Sequence, residues 1–179
     1  MGRKNTKVYQ SMITFCLVSG IDEKYIYDRA KILLSHYREI CWIVKNKADD
    51  TTQELRELCT DSIDTSMVYL KEFAPKKTKI EFKEQIFCLS ETRELLALMD
   101  DALSQVRSYP IQGELFADIL EKCYVGNRKY KDNEIMSIYH LERSGYYDRK
   151  KEAILVFAVT LWEKIIPTLA KEKIALPHI

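Results

Sequence analysis

Glycine and proline are scarce in this 179-residue chain, at five and four residues. All-β folds need many tight turns, so the scarcity argues against them and for helices joined by short connections. Few glycines also leave little material for a phosphate-cradling loop, and neither GxGxxG nor GxxxxGK[S/T] occurs. No apolar run approaches the ~18–20 residues that span a bilayer, so no membrane partner is expected. There is no CxxC. Cys16, Cys41, Cys59, Cys88 and Cys123 are widely spaced and odd in number, and His36, His140 and His178 form neither HxxxH nor HExxH. Neither a metal site nor a cofactor is expected, and the thiols read as reduced, mostly buried groups of a cytoplasmic protein.

What is present is a globular composition, 46% apolar and 31% charged, in a length that holds one domain or two small ones. The net charge of +1 conceals an uneven distribution. Residues 49–104 hold 13 Asp/Glu against 7 Lys/Arg, a balance of −6, and residues 122–151 hold 8 Lys/Arg against 4 Asp/Glu, a balance of +4. An acidic middle thus precedes a basic segment. No internal repeat stands out. The chain starts Met1-Gly-Arg-Lys-Asn-Thr, which fits the short N-myristoylation pattern. The apolar stretch 12–18 imitates a leader peptide, but it is short and Tyr9, Gln10 and Ser11 interrupt its approach.

Hydrophobic periodicity predicts an all-α fold. Asp22 can cap a helix over 22–46 with Ile26, Ala30, Leu33, Leu34, Tyr37, Ile40, Cys41 and Val44 inward. A second helix is expected over 51–73, with Leu55, Leu58, Cys59, Ile63, Met67 and Leu70 inward and Pro75 stopping it. A third helical region is expected over 78–107, with a break near Ser90 and with Leu95, Met99, Ala102, Leu103 and Val106 inward. Ser-Tyr-Pro at 108–110 ends it. Residues 1–110 therefore read as an N-terminal helical bundle, suited to partner docking or dimerisation. Asp100, Asp101, His36 and Glu39 invite an acid–base reading, but carboxylates on a charged helix usually form a solvated face, and no enzyme activity is expected.

After Pro110 the texture changes. A helix over 112–124 buries Leu115, Phe116, Ile119, Leu120 and Cys123, and Gly126 is expected to end it in the left-handed conformation. A basic loop follows, then a short helix capped by Asp132, a turn at Leu141, and a longer helix from Glu142 or Arg143. Ile135, Tyr139, Leu141, Tyr146 and Ala153 fall at the buried offsets of a helix-turn-helix. Its second helix would expose Arg143, Ser144, Tyr147, Asp148 and Lys151, with Lys150 at the edge. Short polar and basic side chains at the start of such a helix reach base edges, and cations nearby meet phosphates. His140 stands where glycine is common, and Glu142 where a Ser or Thr cap is expected.

The stretch ILEKCYVGNRKYKDNEIMSIYHLERSGYYDRKKEAILVFAVTLW resembles the C-terminal domain of ArpU-like and RinA-like phage transcriptional regulators, a helix-turn-helix like that of sigma factor region 4. The resemblance rests on RSxYYxRKKEA at 143–153 and on Tyr124 and Asp132 to Ile135 before it, about 50 of 179 residues. Gly145 and Glu142 depart from the pattern. The resemblance implies a helix-turn-helix domain over 111–179. It also implies duplex DNA as partner, regulation of phage or prophage genes in a bacterial cytoplasm, and RNA polymerase as a second partner. By matching position, Arg143, Ser144 and Tyr147 would face bases, and Lys150, Lys151, Arg128, Lys129 and Lys131 would face phosphates.

The last helix runs on through ILVFAVTLWEKII, which is apolar nearly all round. Tyr146, Ala153, Phe157 and Thr160 share its inner side, while Leu155, Ala158, Trp162 and Ile165 form a second apolar side. A helix apolar all round is buried. Its second side is therefore covered by the chain's own helices, or by a homodimer partner seated on Leu155, Trp162 and Ile165. A reading from another class also stands: a helical adaptor or phage packaging component, similar to a small terminase subunit, whose hairpin is purely structural.

Overall fold

The computed structural model describes residues 6–47 and 93–165, and every regular element among them is helical. The fold is all-α, as periodicity predicts. The helix expected over 51–73, the break near Ser90 and residues 1–5 of the N-terminal pattern lie outside the described residues.

Helix α1, Lys7–Val18, occupies the stretch that imitates a leader peptide. The Thr6 side chain caps it by accepting the Tyr9 N–H at 3.3 Å, and Val8, Met12 and Cys16, four residues apart, bury one face. The segment is part of the core. Gly20 ends the helix at φ +70°, where Ile21 N–H reaches the Cys16 carbonyl at 2.8 Å and Gly20 N–H reaches Leu17 at 3.2 Å. This is a Schellman turn, and the left-handed residue in it favours glycine.

Helix α2, Glu23–Lys47, starts at the expected cap: Asp22 Oδ1 accepts from the Lys24 and Tyr25 N–H groups at 3.0 and 3.3 Å. Its predicted stripe from Ile26 to Ile40 is buried, with Cys41 and Val44 half-buried at its far end. Helix α3, Arg93–Arg107, buries Leu95, Leu98, Met99, Ala102 and Val106 and stops before Pro110. Helix α4, Gly113–Leu120, starts against the end of α3. A Cβ on Gly113 would stand 2.7 Å from both the Val106 and Arg107 carbonyl oxygens, so only glycine fits there.

From Glu121 to Val125 the α4 backbone widens into a π-helical turn. Gly126 does not take the expected left-handed conformation but sits at φ −56°, ψ 155°. The physical reason lies in that turn. Gly126 N–H closes it on the Glu121 carbonyl at 2.8 Å, while Arg38 from α2 takes the freed Cys123 and Gly126 carbonyls at 3.2 and 2.7 Å. A guanidinium replaces the backbone cap. Helix α5, Asp132–Ile138, and helix α6, Arg143–Val159, complete the described elements, α6 winding on through a π turn, Thr160–Ile165.

The main core holds Val8, Ile26, Leu95, Phe116 and Phe157 in one cluster that crosses the boundary expected at residue 110. The C-terminal half of α6 lies at its centre. Residues 153–159 together with Leu161 and Trp162 are all buried, and α1, α2, α3 and α4 pack around them. The second apolar side of α6 is therefore covered from within the chain. Leu155 is wholly buried and Trp162 is 7% exposed, so of the two alternatives these residues are covered by the chain's own helices rather than left for a partner, and the Ile165 side chain lies outside the described residues. Leu155→Ala is expected to lower stability by about 2–5 kcal/mol. Denaturant melts at several protein concentrations should superimpose, because the cavity opens inside one subunit. A midpoint that moves with concentration would return Leu155 to an interface.

Candidate nucleic-acid interface

The α5–α6 hairpin stands on a small core of its own. Ile119 and Cys123 from α4 and its π turn meet Ile135 of α5 and Tyr146 of α6, edged by Leu115, Met136, Tyr139 and Leu141. Of the five positions expected to be buried, Ile135 and Tyr146 are buried in this core, Tyr139 and Leu141 are half-buried at its edge, and Ala153 is buried in the main core. The turn is closed by Leu141 N–H on the Met136 carbonyl at 2.9 Å and His140 N–H on Ser137 at 3.4 Å, with His140 at φ +51°. The expected glycine position is left-handed, but a histidine fills it.

The same four backbone bonds occur in the α1–α2 hairpin, every residue displaced by 120, as Gly20 is from His140. They run from Ser19, Gly20, Ile21 and Ile26 there, and from Tyr139, His140, Leu141 and Tyr146 here. Even Tyr27-Asp28-Arg29-Ala30-Lys31 and Tyr147-Asp148-Arg149-Lys150-Lys151 stand at matching places. A hairpin repeat therefore exists in the backbone although no repeat stands out in the sequence. The two exposed faces differ: Glu23 and Lys24 start α2, whereas Arg143 and Ser144 start α6.

Arg143 and Ser144 are exposed at the first turn of α6, and Tyr147, 44% exposed, follows one turn on. Lys129 and Lys131 are exposed on the loop before α5. Arg128 is exposed too, but it pairs with Glu134 at 2.7 Å and lies over the Tyr130 ring at 4.6 Å. Glu134 also accepts the Lys131 N–H at 2.7 Å, so it caps α5 in place of Asp132, the expected cap. Those contacts, the backbone bond first, hold the Glu134 carboxyl below its ordinary range.

Asp132 is the first residue of α5, and its carboxylate points across to α6. Oδ1 accepts from the Tyr146 hydroxyl at 2.7 Å and the Lys150 ammonium at 2.8 Å, and Oδ2 accepts from the Tyr147 hydroxyl at 3.2 Å. Lys150 also lies over the Tyr124 and Tyr146 rings, at 5.7 and 5.5 Å from their centroids. Lys151 turns to α1. Its ammonium donates to the Tyr9 hydroxyl at 2.8 Å and covers that ring at 4.3 Å, and Tyr9 donates onward to Glu23 at 2.8 Å. Of the four lysines expected at phosphates, Lys150 and Lys151 therefore serve contacts inside the molecule.

No known protein family, curated protein or solved structure matches this chain. The site's own geometry carries the reading. It gathers Arg143, Ser144 and Tyr147 at the head of one helix, places Arg128, Lys129 and Lys131 on the preceding loop, and draws Lys150 and Lys151 inward. Sequence reading missed the role of Asp132; three α6 donors within one turn of each other were its signal. Tyr9 gave none, since only tertiary packing brings α1 to Lys151. Elsewhere, His36 pairs with Glu39 at 2.7 Å and Asp100 accepts from the Tyr37 hydroxyl at 2.6 Å, in two separate contacts. No cluster of three metal-ligating side chains occurs among the described residues, and no described helix is long and apolar enough to cross a membrane.

Burial raises the Tyr146 hydroxyl, with its bonds to Cys123 and Asp132 adding, and burial pushes Tyr124 up to about 12. Partial burial alone would raise Asp132, but the bonds from Lys150 and Tyr146 and the Lys150 charge outweigh it, and its carboxyl falls below 3.8. The folded state therefore binds fewer protons than the unfolded one in that range. The Asp132 contribution is whole above 3.8 and is lost as pH falls through the lower folded value. Asp132→Asn should accordingly show a smaller drop in melting temperature between roughly pH 5 and pH 2 than the parent chain. Equal drops would place the acid sensitivity elsewhere. His140→Gly should raise stability by about 0.5–1 kcal/mol and Gly20→Ala should lower it by about 1 kcal/mol, both read from urea midpoints. The space around a Gly20 Cβ is open, so the second loss reports the dihedral alone.

Proposed function

We propose that this chain binds duplex DNA through the α5–α6 hairpin as a sequence-specific transcriptional regulator of the phage or prophage kind that residues 119–162 resemble. One observation carries the reading: a hairpin on its own small core presents Arg143, Ser144 and Tyr147, exposed, at the first turns of its second helix. An arginine at the head of a helix in the major groove can take a guanine edge with two hydrogen bonds, and Ser144 and Tyr147 can serve neighbouring bases. Lys129 and Lys131, with Arg128, suit the flanking phosphates. Lys150 and Lys151 are left out of that set because Asp132 and Tyr9 hold them. On the resemblance, RNA polymerase is the second partner; tethering to it would add the specificity that one hairpin lacks.

A structural adaptor or packaging component is favoured by a different observation. The α1–α2 hairpin uses the same turn with an acidic residue, Glu23, at the place of Arg143, so the turn itself serves packing. DNA binding separates the two readings. Fluorescence anisotropy with duplex fragments across a salt series should show log affinity falling linearly with log salt. Lys129→Ala should flatten the slope by about 0.9, and Arg143→Ala should cost about 1–3 kcal/mol on the preferred fragment. Absence of binding to every duplex at low salt would leave the adaptor reading in its place.

A further inference from the structure

We infer that Asp132 is a positioning residue that withholds Lys150 from DNA and thereby limits sequence-independent binding by the α6 face. The inference rests on the DNA-binding reading. Its observations are geometric. Asp132 and Lys150 lie on the two different helices of the hairpin, with the ammonium 2.8 Å from Oδ1. The Lys150 side chain is only 20% exposed, and ring faces of Tyr124 and Tyr146 stand beside it. The same carboxylate holds the hydroxyls of buried Tyr146 and exposed Tyr147, so three α6 side chains share one anchor on α5. Counter-ion release requires a cation that is free to neutralise a phosphate. Lys150 already has its anion, and moving it to a phosphate would leave a half-buried carboxylate unpaired. Tyr147, by contrast, keeps its ring at the surface while its hydroxyl is held, which fixes one base-facing group in orientation. The α6 face thus meets DNA with Arg143, Ser144 and an oriented Tyr147, and the Lys150 charge behind them stays paired with Asp132.

The test measures salt dependence on a random-sequence duplex with the full chain. Lys150→Met should leave the slope of log affinity against log salt unchanged. Asp132→Asn should steepen it by about 0.9, the yield of one freed cation, and raise low-salt affinity several-fold. Asp132→Asn/Lys150→Met should return the slope to the parent value, and Asp132→Glu should retain it. Loss of hairpin order alone would lower affinity, so a purely structural Asp132 predicts the opposite sign. If Lys150→Met flattens the slope by about 0.9, Lys150 is an ordinary phosphate ligand and the inference fails while the DNA-binding reading stands. If the parent chain binds no duplex, that reading fails and the inference with it. Should Asp132→Asn fail to fold, the Lys150→Met slope decides alone.

Discussion

The burial of α6 on every side of its second half constrains everything else in the molecule. Residues 153–159 are enclosed by four other helices, and two turns before them Tyr146 is locked into the separate small core. Each buried aliphatic or aromatic side chain there is worth roughly 1.5–3 kcal/mol, so turning α6 about its axis would forfeit more than the 5–15 kcal/mol that typically holds a domain together. One rigid rod therefore couples the body of the protein to the exposed residues at its start. Arg143, Ser144 and Tyr147 have no freedom to rotate together away from the direction in which the core aims them. The proposed DNA contact depends on that property, because base edges discriminate only against donors held in register.

Turn chemistry supplies the second constraint. Both hairpins close through a Schellman turn with one left-handed residue, and the chain meets that demand once with glycine and once with histidine. Helix-turn-helix geometry alone is thus a packing solution, used in α1–α2 beneath an acidic and mixed surface. The two hairpins differ where residues lie outside the shared core. At matching places Arg143 replaces Glu23 and Ser144 replaces Lys24. That is a change of charge at the end of the helix where the backbone dipole already favours an anion.

Polar ties between elements do the remaining positioning. Arg38 reaches from α2 to the carbonyls at the end of α4 and so anchors the start of the basic loop. Glu134 holds the other end through the Lys131 N–H and Arg128. Glu152, buried in the core, accepts from Thr6 and pairs with Arg149 at 3.1 Å, which ties the beginning of α1 to α6. A buried carboxylate without such partners would be costly, and Glu152 has both Thr6 and Arg149.

The sequence by itself determined the all-α class, the α2 cap and stripe, the inward face of α3, the existence of two helices around Leu141 and the exposure of Arg143, Ser144 and Tyr147. All of these follow from local rules: helical period, capping residues and the places where proline and left-handed residues stop a helix. Only the tertiary structure decided what those rules do not reach. It made α1 a core helix and joined residues on both sides of 110 into one core. It also covered Leu155 and Trp162 from within and turned Lys150 and Lys151 toward Asp132 and Tyr9. One physical reason covers these cases, whether the partner lies 18 residues away, as Asp132 does from Lys150, or in a distant helix. A long side chain or an apolar face is free to choose among partners, and which partner it meets depends on other helices, some of them more than a hundred residues away, as Thr6 is from Glu152 and Tyr9 from Lys151. Periodicity specifies which face of a helix is apolar; only packing specifies what covers it.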